Sequence, residues 1–184
     1  SNGFMTGSIV KKNIFQFTLI FFISLSWALS LDLDWSTDFG VYYTGASFFS
    51  DNYRLYLEHF DHKGPAYYAF LKLIGNVIGF GPFQALVSIF LTSLLFCITV
   101  MQISKKFGHG AIFQNIILLC CGNLLFYQST NSSIAIFQGT LLIIAFYFLQ
   151  KQIENGEIKF LFLSLLFWSL SFYTRIDSII FAPI

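Results

Sequence analysis

The chain has 184 residues, 56% of them hydrophobic and 20% aromatic, with 10% charged and a net charge of +1. Soluble domains carry about 25% charged residues, so this composition and a mean hydropathy of +0.71 exclude an ordinary water-soluble globule and point to a membrane protein. No basic run or patch speaks for nucleic acid, and Cys97, Cys120 and Cys121 all lie in apolar runs, where they read as small core hydrophobes and not as a disulfide framework or metal site.

In chain order, the first predicted element is a span over residues 14–31, an uncharged run preceded by Lys11 and Lys12, which put its start on the cytoplasmic side. Ala28-Leu29-Ser30 loosely fits a signal-peptide cleavage site, but the run exceeds the usual core of about 7–15 residues and further spans follow. Next comes a polar stretch holding six of the nine acidic residues: Asp32, Asp34, Asp38, Asp51, Glu58 and Asp61. His59, His62 and Lys63-Gly64-Pro65 close it.

Residues 66–80 form a short apolar run containing Lys72, Gly75, Asn76 and Gly79. Fifteen helical residues reach only about 22 Å, short of a hydrocarbon layer of about 30 Å. Tyr68, Lys72 and Asn76 recur every four residues as a polar stripe, so the expected pose is an interfacial helix with its apolar side in the membrane. Gly79-Phe80-Gly81-Pro82 breaks it. Spans are then predicted over 83–103, 111–127, 134–149 and 160–173. With residues 66–80 at the interface, Lys11/Lys12, Lys105/Lys106 and Lys151/Lys159 all face the cytoplasm, and the positive-inside rule favours five spans with residues 32–82 as an outer loop. The last residues, through Ala182-Pro183-Ile184, still lie in an apolar run, so the chain is read as the N-terminal part of a longer multi-pass protein.

Within the outer loop, Asp38 follows the first span closely and can take a proton from an acceptor hydroxyl. Asp32 and Asp34 are equally acidic, and a role in solvating the loop is the plain alternative for all three. His59 and His62 share a helix face, as metal ligands do, but such loops are commonly just polar, and no metal is expected. Lys63 at the foot of the interfacial helix, and Arg175 at the outer end of a span, are placed to meet a lipid phosphate or merely to snorkel.

The order of these motifs resembles the membrane glycosyltransferases of the GT-C fold, of the family 39-like group that includes protein O-mannosyltransferases and lipid A aminoarabinose transferases. The matching residues are Asp38, Tyr42 and Tyr43, then Lys63-Gly64-Pro65-Ala66-Tyr67-Tyr68, Phe80-Gly81, and Thr174-Arg175 with Pro183 beyond. Many relatives have Asp-Glu where this chain has Asp38-Phe39, and an acidic residue in the second outer loop where it has Asn131, Ser132 and Ser133.

The resemblance implies an all-α multi-pass bundle of GT-C type with interfacial helices in the first outer loop. It implies a polyprenyl-phosphate sugar donor, a lipid, glycan or protein acceptor, and an active site on the outer face of the plasma (inner) membrane. Asp38 would be the catalytic carboxylate, with Tyr42, Tyr43, Lys63 and Arg175 binding substrate. No glycine-rich nucleotide loop is evident, which fits a lipid-linked donor and no separate cofactor. The rival readings are a transporter or a non-catalytic polysaccharide export subunit. Transporters tend to place ionisable residues inside their spans, whereas the spans here hold almost none.

Overall fold

A computed structural model describes residues 2–29, 38–48, 64–106, 110, 114–117 and 133–175. Among these the chain is helical, with no strand: α1 (Asn2–Leu29), α2 (Asp38–Phe48), α3 (Pro65–Ile78), α4 (Pro82–Lys106), α5 (Ser133–Asn155) and α6 (Ile158–Phe172). The all-α membrane architecture expected from the sequence is therefore the observed one. By length and apolarity, Pro82–Lys106 and Ile134–Asn155 qualify as membrane spans, while Ile14–Leu29 and Ile158–Phe172 are shorter apolar helices. Most of the stretch 111–127, read from sequence as a third span, lies outside the described residues.

The helices form a bundle with two chemically distinct ends. α1 and α4 are antiparallel: Phe21 meets Phe90 edge-on at 5.6 Å, Leu25 and Leu29 share one apolar cavity with Phe83 and Val87, and Gln16 donates a buried hydrogen bond to Gln114 at 2.9 Å. α5 and α6 are antiparallel too, stapled by Ser164 Oγ to the Ala145 carbonyl (2.9 Å) and Ser171 Oγ to the Gln138 carbonyl (3.3 Å). α4 and α5 run the same way, because Lys106 at the end of one pairs with Glu154 at the end of the other. One end of the bundle thus collects the start of α1 with Lys11 and Lys12, the lysines closing α4, and Lys151 and Lys159. The other collects the end of α1, α2, α3, the start of α4 and the end of α6.

The buried side of α4 interleaves apolar residues such as Ala85, Ile89 and Met101 with Gln84, Ser88, Thr92, Ser93 and Thr99, while Phe83, Leu91 and Leu95 are exposed. Small polar residues allow close helix approach in lipid, and each must be satisfied within the protein. Thr92 Oγ1 accordingly donates to the Ser88 carbonyl (2.7 Å) and Thr99 Oγ1 to the Leu95 carbonyl (2.8 Å).

α3 begins on Pro65, whose fixed φ suits the first helical position. It ends at Gly79, with φ +91°, before Gly81 at φ +151°, backbone states that favour glycine. That corner turns the chain directly into α4. Gln84, fully buried, braces it by donating from Nε2 to the Leu71 carbonyl at 2.6 Å, and the missing side chain of Gly75 leaves the room it needs: a Cβ there would stand 2.9 Å from Gln84 Nε2.

The buried face of α3 is Tyr67, Tyr68, Leu71, Ile74 and Gly75. Tyr68, read from sequence as the start of an outward polar stripe, is instead fully buried against α2. Only the later positions of that stripe, half-buried Lys72 and exposed Asn76, face outward. Leu73, Val77 and Phe80 form an exposed apolar edge beside them, so α3 has one face on protein and a second apolar face outward. Replacing Gln84 by Leu is expected to remove the brace and lower stability by about 1–3 kcal/mol. The purified full-length protein should show this as a lower Tm in detergent, and an unchanged Tm would reduce Gln84 to a spectator.

Candidate functional site

The sequence offers three motifs that lie far apart in the chain: Asp38 with Tyr42 and Tyr43, Lys63-Gly64-Pro65, and Thr174-Arg175. The structure brings all three to the same end of the bundle. The second and third are joined directly. Gly64 N–H donates to the Thr174 carbonyl at 3.0 Å, and Ala66 N–H donates to the Tyr173 carbonyl at 3.2 Å.

Both bonds solve a helix-end problem. The first amides of α3 and the last carbonyls at the end of α6 have no partner within their own helices, and here they satisfy each other. Pro65, between the two donors, has no N–H to leave orphaned. The positive end of the α3 dipole also meets the negative end of α6. Gly64 is extended, with φ −73° and ψ 161°, so it is not glycine for a special φ. It is glycine for proximity: a Cβ at Gly64 would overlap the Tyr173 carbonyl, which is main chain and cannot swing away.

On the α6 side, Thr174 is fully buried and its hydroxyl donates to the Leu170 carbonyl at 2.9 Å. Arg175 N–H donates to the Ser171 carbonyl at 3.1 Å, which holds the backbone beneath the half-buried Arg175 side chain. Lys63 is bonded to Gly64 in the chain but lies outside the described residues, as do Asp32, Asp34, His59 and His62. Among the described residues no group of His, Cys, Asp or Glu is arranged to hold a metal.

Asp38 is the first residue of α2, where a carboxylate is favoured by the positive end of the helix dipole. Tyr42 and Tyr43, expected on the substrate, are buried at 1% and 2% exposure. The Tyr42 ring packs edge-on against Tyr67 at 5.5 Å. Tyr67 continues to Phe137 of α5 at 5.3 Å, and Phe137 stacks on Phe70 at 4.6 Å. The Tyr43 hydroxyl shares a 2.7 Å hydrogen bond with Ser88 Oγ, and Ser88 Oγ also lies 2.8 Å from the Ala85 carbonyl, to which it donates. Burial, with Tyr67 alongside, pushes the Tyr43 phenol well above its ordinary range, so it stays protonated and fixes α2 to α4 as a neutral partner. Gly45 completes the seat, since a Cβ there would lie 2.7 Å from a Tyr68 ring carbon.

Sequence reasoning passed over Ser88 and Gln84, which hold α2 and α3 to the bundle. Their signal was present: Gln84, Ser88 and Thr92 recur every four residues, a polar row on one face of an otherwise apolar span.

The family model described as dolichyl-phosphate-mannose-protein mannosyltransferase matches residues 62–184, well over half of the chain. The chain belongs to this family. It is accordingly a membrane glycosyltransferase chain of the GT-C type. The matched segment opens just before Lys63-Gly64-Pro65 and includes Thr174-Arg175, the two motifs that the backbone bonds join. Asp38, Tyr42 and Tyr43 precede it. No curated protein and no solved structure matches the chain.

Gly64→Ala is expected to force the Lys-Gly-Pro segment away from the end of α6, breaking both bonds and costing about 2 kcal/mol or more. The readouts are the yield of monodisperse full-length protein and its Tm. A variant as stable as the parent would show that the junction tolerates a side chain.

Proposed function

We propose that this chain carries the catalytic end of an enzyme that moves a sugar from a polyprenyl-phosphate donor to a hydroxyl-bearing acceptor at the outer face of the plasma (inner) membrane. The family's description names dolichyl-phosphate-mannose as donor and protein as acceptor. For this chain the reading is a hexosyl or pentosyl donor of that lipid-phosphate kind, and a protein, lipid or glycan acceptor. The observation that carries it is the pair of backbone hydrogen bonds from Gly64 and Ala66 to Thr174 and Tyr173. They tether the main chain that bears Lys63 to the main chain that bears Arg175, two cations from opposite ends of the family segment.

In this reading Lys63 and Arg175 hold the donor phosphate, Lys as a compact point charge and Arg through its planar fork. Gly64 N–H and Ala66 N–H are already engaged with the end of α6, so in this reading the side chains meet the phosphate. Asp38 takes the proton of the acceptor hydroxyl as its oxygen bonds to the anomeric carbon. The bond from that carbon to the phosphate oxygen breaks, and polyprenyl phosphate departs with the electron pair, its charge held by the two cations. Tyr42 and Tyr43 serve the substrate through α2, whose pose they fix, and α3 lies at the interface with its exposed apolar edge in lipid. α1, α4, α5 and α6 cross the membrane, together with residues 111–127.

In full-length protein with lipid donor and acceptor, Asp38→Asn is expected to lower the transfer rate by about 10²–10⁴-fold, with Asp32→Asn and Asp34→Asn milder. Lys63→Ala and Arg175→Ala should raise KM for the lipid-phosphate donor. Transfer at the parental rate by Asp38→Asn would remove its catalytic assignment, and an unchanged donor KM in both cation variants would remove the phosphate site.

Orientation is tested separately. Single cysteines at exposed Lys105 and exposed Tyr173, in a background without Cys97, Cys120 and Cys121, are expected to react differently with an impermeant thiol reagent on intact cells. Position 173 should label and position 105 should not. The reverse pattern would invert the bundle.

A further inference from the structure

At the end of the bundle opposite the candidate site, the helix termini of α4, α5 and α6 gather cations around two aromatic rings. Lys106 and Lys151 both stand over the Tyr147 ring, at 5.6 and 5.7 Å from its centroid. Lys151 also faces Phe160 at 5.8 Å, and Lys159 faces the same ring at 5.0 Å. Glu154 pairs with Lys106 and Glu157 with Lys159. Among the described residues, Lys151 meets rings and not a carboxylate, and Lys105, in the last turn of α4, is exposed.

Lysines that only mark the inner side of a membrane spread outward from one another, because like charges repel and each gains hydration by snorkelling. Here Lys106 and Lys151 converge on one ring instead. An aromatic face attracts an ammonium but leaves its charge in place. With two of four lysines offset by carboxylates, the cluster keeps a surplus of positive charge, and the start of α1 brings Lys11 and Lys12 to the same end. Aromatic rings with lysines at the edge of an apolar bundle mark headgroup depth, where the anion at hand is a lipid phosphate.

We infer that the ends of α4 and α5 and the start of α6 form a binding site for the headgroup of an anionic phospholipid, with Lys106 and Lys151 as its principal cations. Glu154 limits the affinity by holding Lys106. The site is distinct from the donor site, at the far end of the bundle, and does not depend on sugar transfer.

The test is native mass spectrometry of the purified full-length protein in detergent with equal phosphatidylglycerol and phosphatidylcholine. The parent is expected to retain phosphatidylglycerol preferentially. Removing a cation near a membrane surface weakens anionic binding about fivefold, so the double variant K106Q/K151Q should lose at least that much phosphatidylglycerol, with phosphatidylcholine unchanged. K106R/K151R should restore retention, and Glu154→Gln should raise it. Lys72→Gln, at the opposite end, should leave it unaltered. Parental retention by K106Q/K151Q, an equal loss in Lys72→Gln, or no preference over phosphatidylcholine in the parent would each overturn the site. If the double variant does not purify, Lys151→Gln alone carries the same expectation at about fivefold.

Discussion

Two backbone hydrogen bonds, from Gly64 and Ala66 to the carbonyls of Thr174 and Tyr173, hold the functional end of this molecule together. Each joins a group that α3 cannot satisfy to a group that α6 cannot satisfy. In lipid or at its edge, where water does not freely replace a lost partner, such groups are costly to leave open. The junction therefore needs no side-chain chemistry to be specific. It needs a residue without a Cβ at position 64, a residue without an N–H at position 65, and a helix that stops at the right depth. Lys63-Gly64-Pro65 meets the first two requirements and α6 the third. What reads in sequence as a phosphate motif is also a structural clasp, made by Gly64 and Pro65.

The clasp is useful only if α3 is rigid against the rest of the bundle, and α4 supplies that rigidity. Its buried polar row meets two separate elements: Gln84 reaches back to the Leu71 carbonyl of α3, and Ser88 meets the Tyr43 hydroxyl of α2. Tyr67 and Phe70 then carry α3 onto Phe137 of α5. Asp38 at the start of α2, Gly64 at the start of α3 and Arg175 beyond α6 are thus referred to one scaffold. Catalysis by positioning requires such a common frame, since small displacements of a reacting group are expensive in rate.

The apolar helices were legible because hydropathy is a one-dimensional property. Residues 83–103, 134–149 and 160–173 were recognisable within a few residues of α4, α5 and α6. α1 continues N-terminally past Lys11 and Lys12 to Asn2, since a helix does not end where its hydrophobicity does. Length alone marked residues 66–80 as too short to cross. The stripe of Tyr68, Lys72 and Asn76 was a weaker guide, because a helix with one face on protein, an apolar edge outward and polar positions beside it has three environments, and a polar-versus-apolar pattern separates only two. Tyr68 is amphipathic enough to sit in any of them, and Gly45 makes the space that draws it inward. The same ambiguity hid the place of Tyr42 and Tyr43 in the core. The pairing of Gly64 with Thr174 had no periodic signature, because main-chain bonds between distant segments leave only a missing side chain in the sequence.

Charge is the remaining organising term, and it is divided unevenly between the ends of the bundle. Lys105, Lys106, Lys151 and Lys159 lie at or near helix termini at one end, and Lys11 and Lys12 lie inside α1, which starts at that end. Lys72 and Arg175 belong to the other. The segment between α1 and α3 also carries six of the chain's nine acidic residues. Acidic residues contribute little to topology, so the orientation signal survives while the net charge of that end stays low. A binding site for an anion can then keep its cations where insertion alone would select against them. A cation held away from the lysine-rich end, as Arg175 is, is therefore a physical reason to look for an anion beside it.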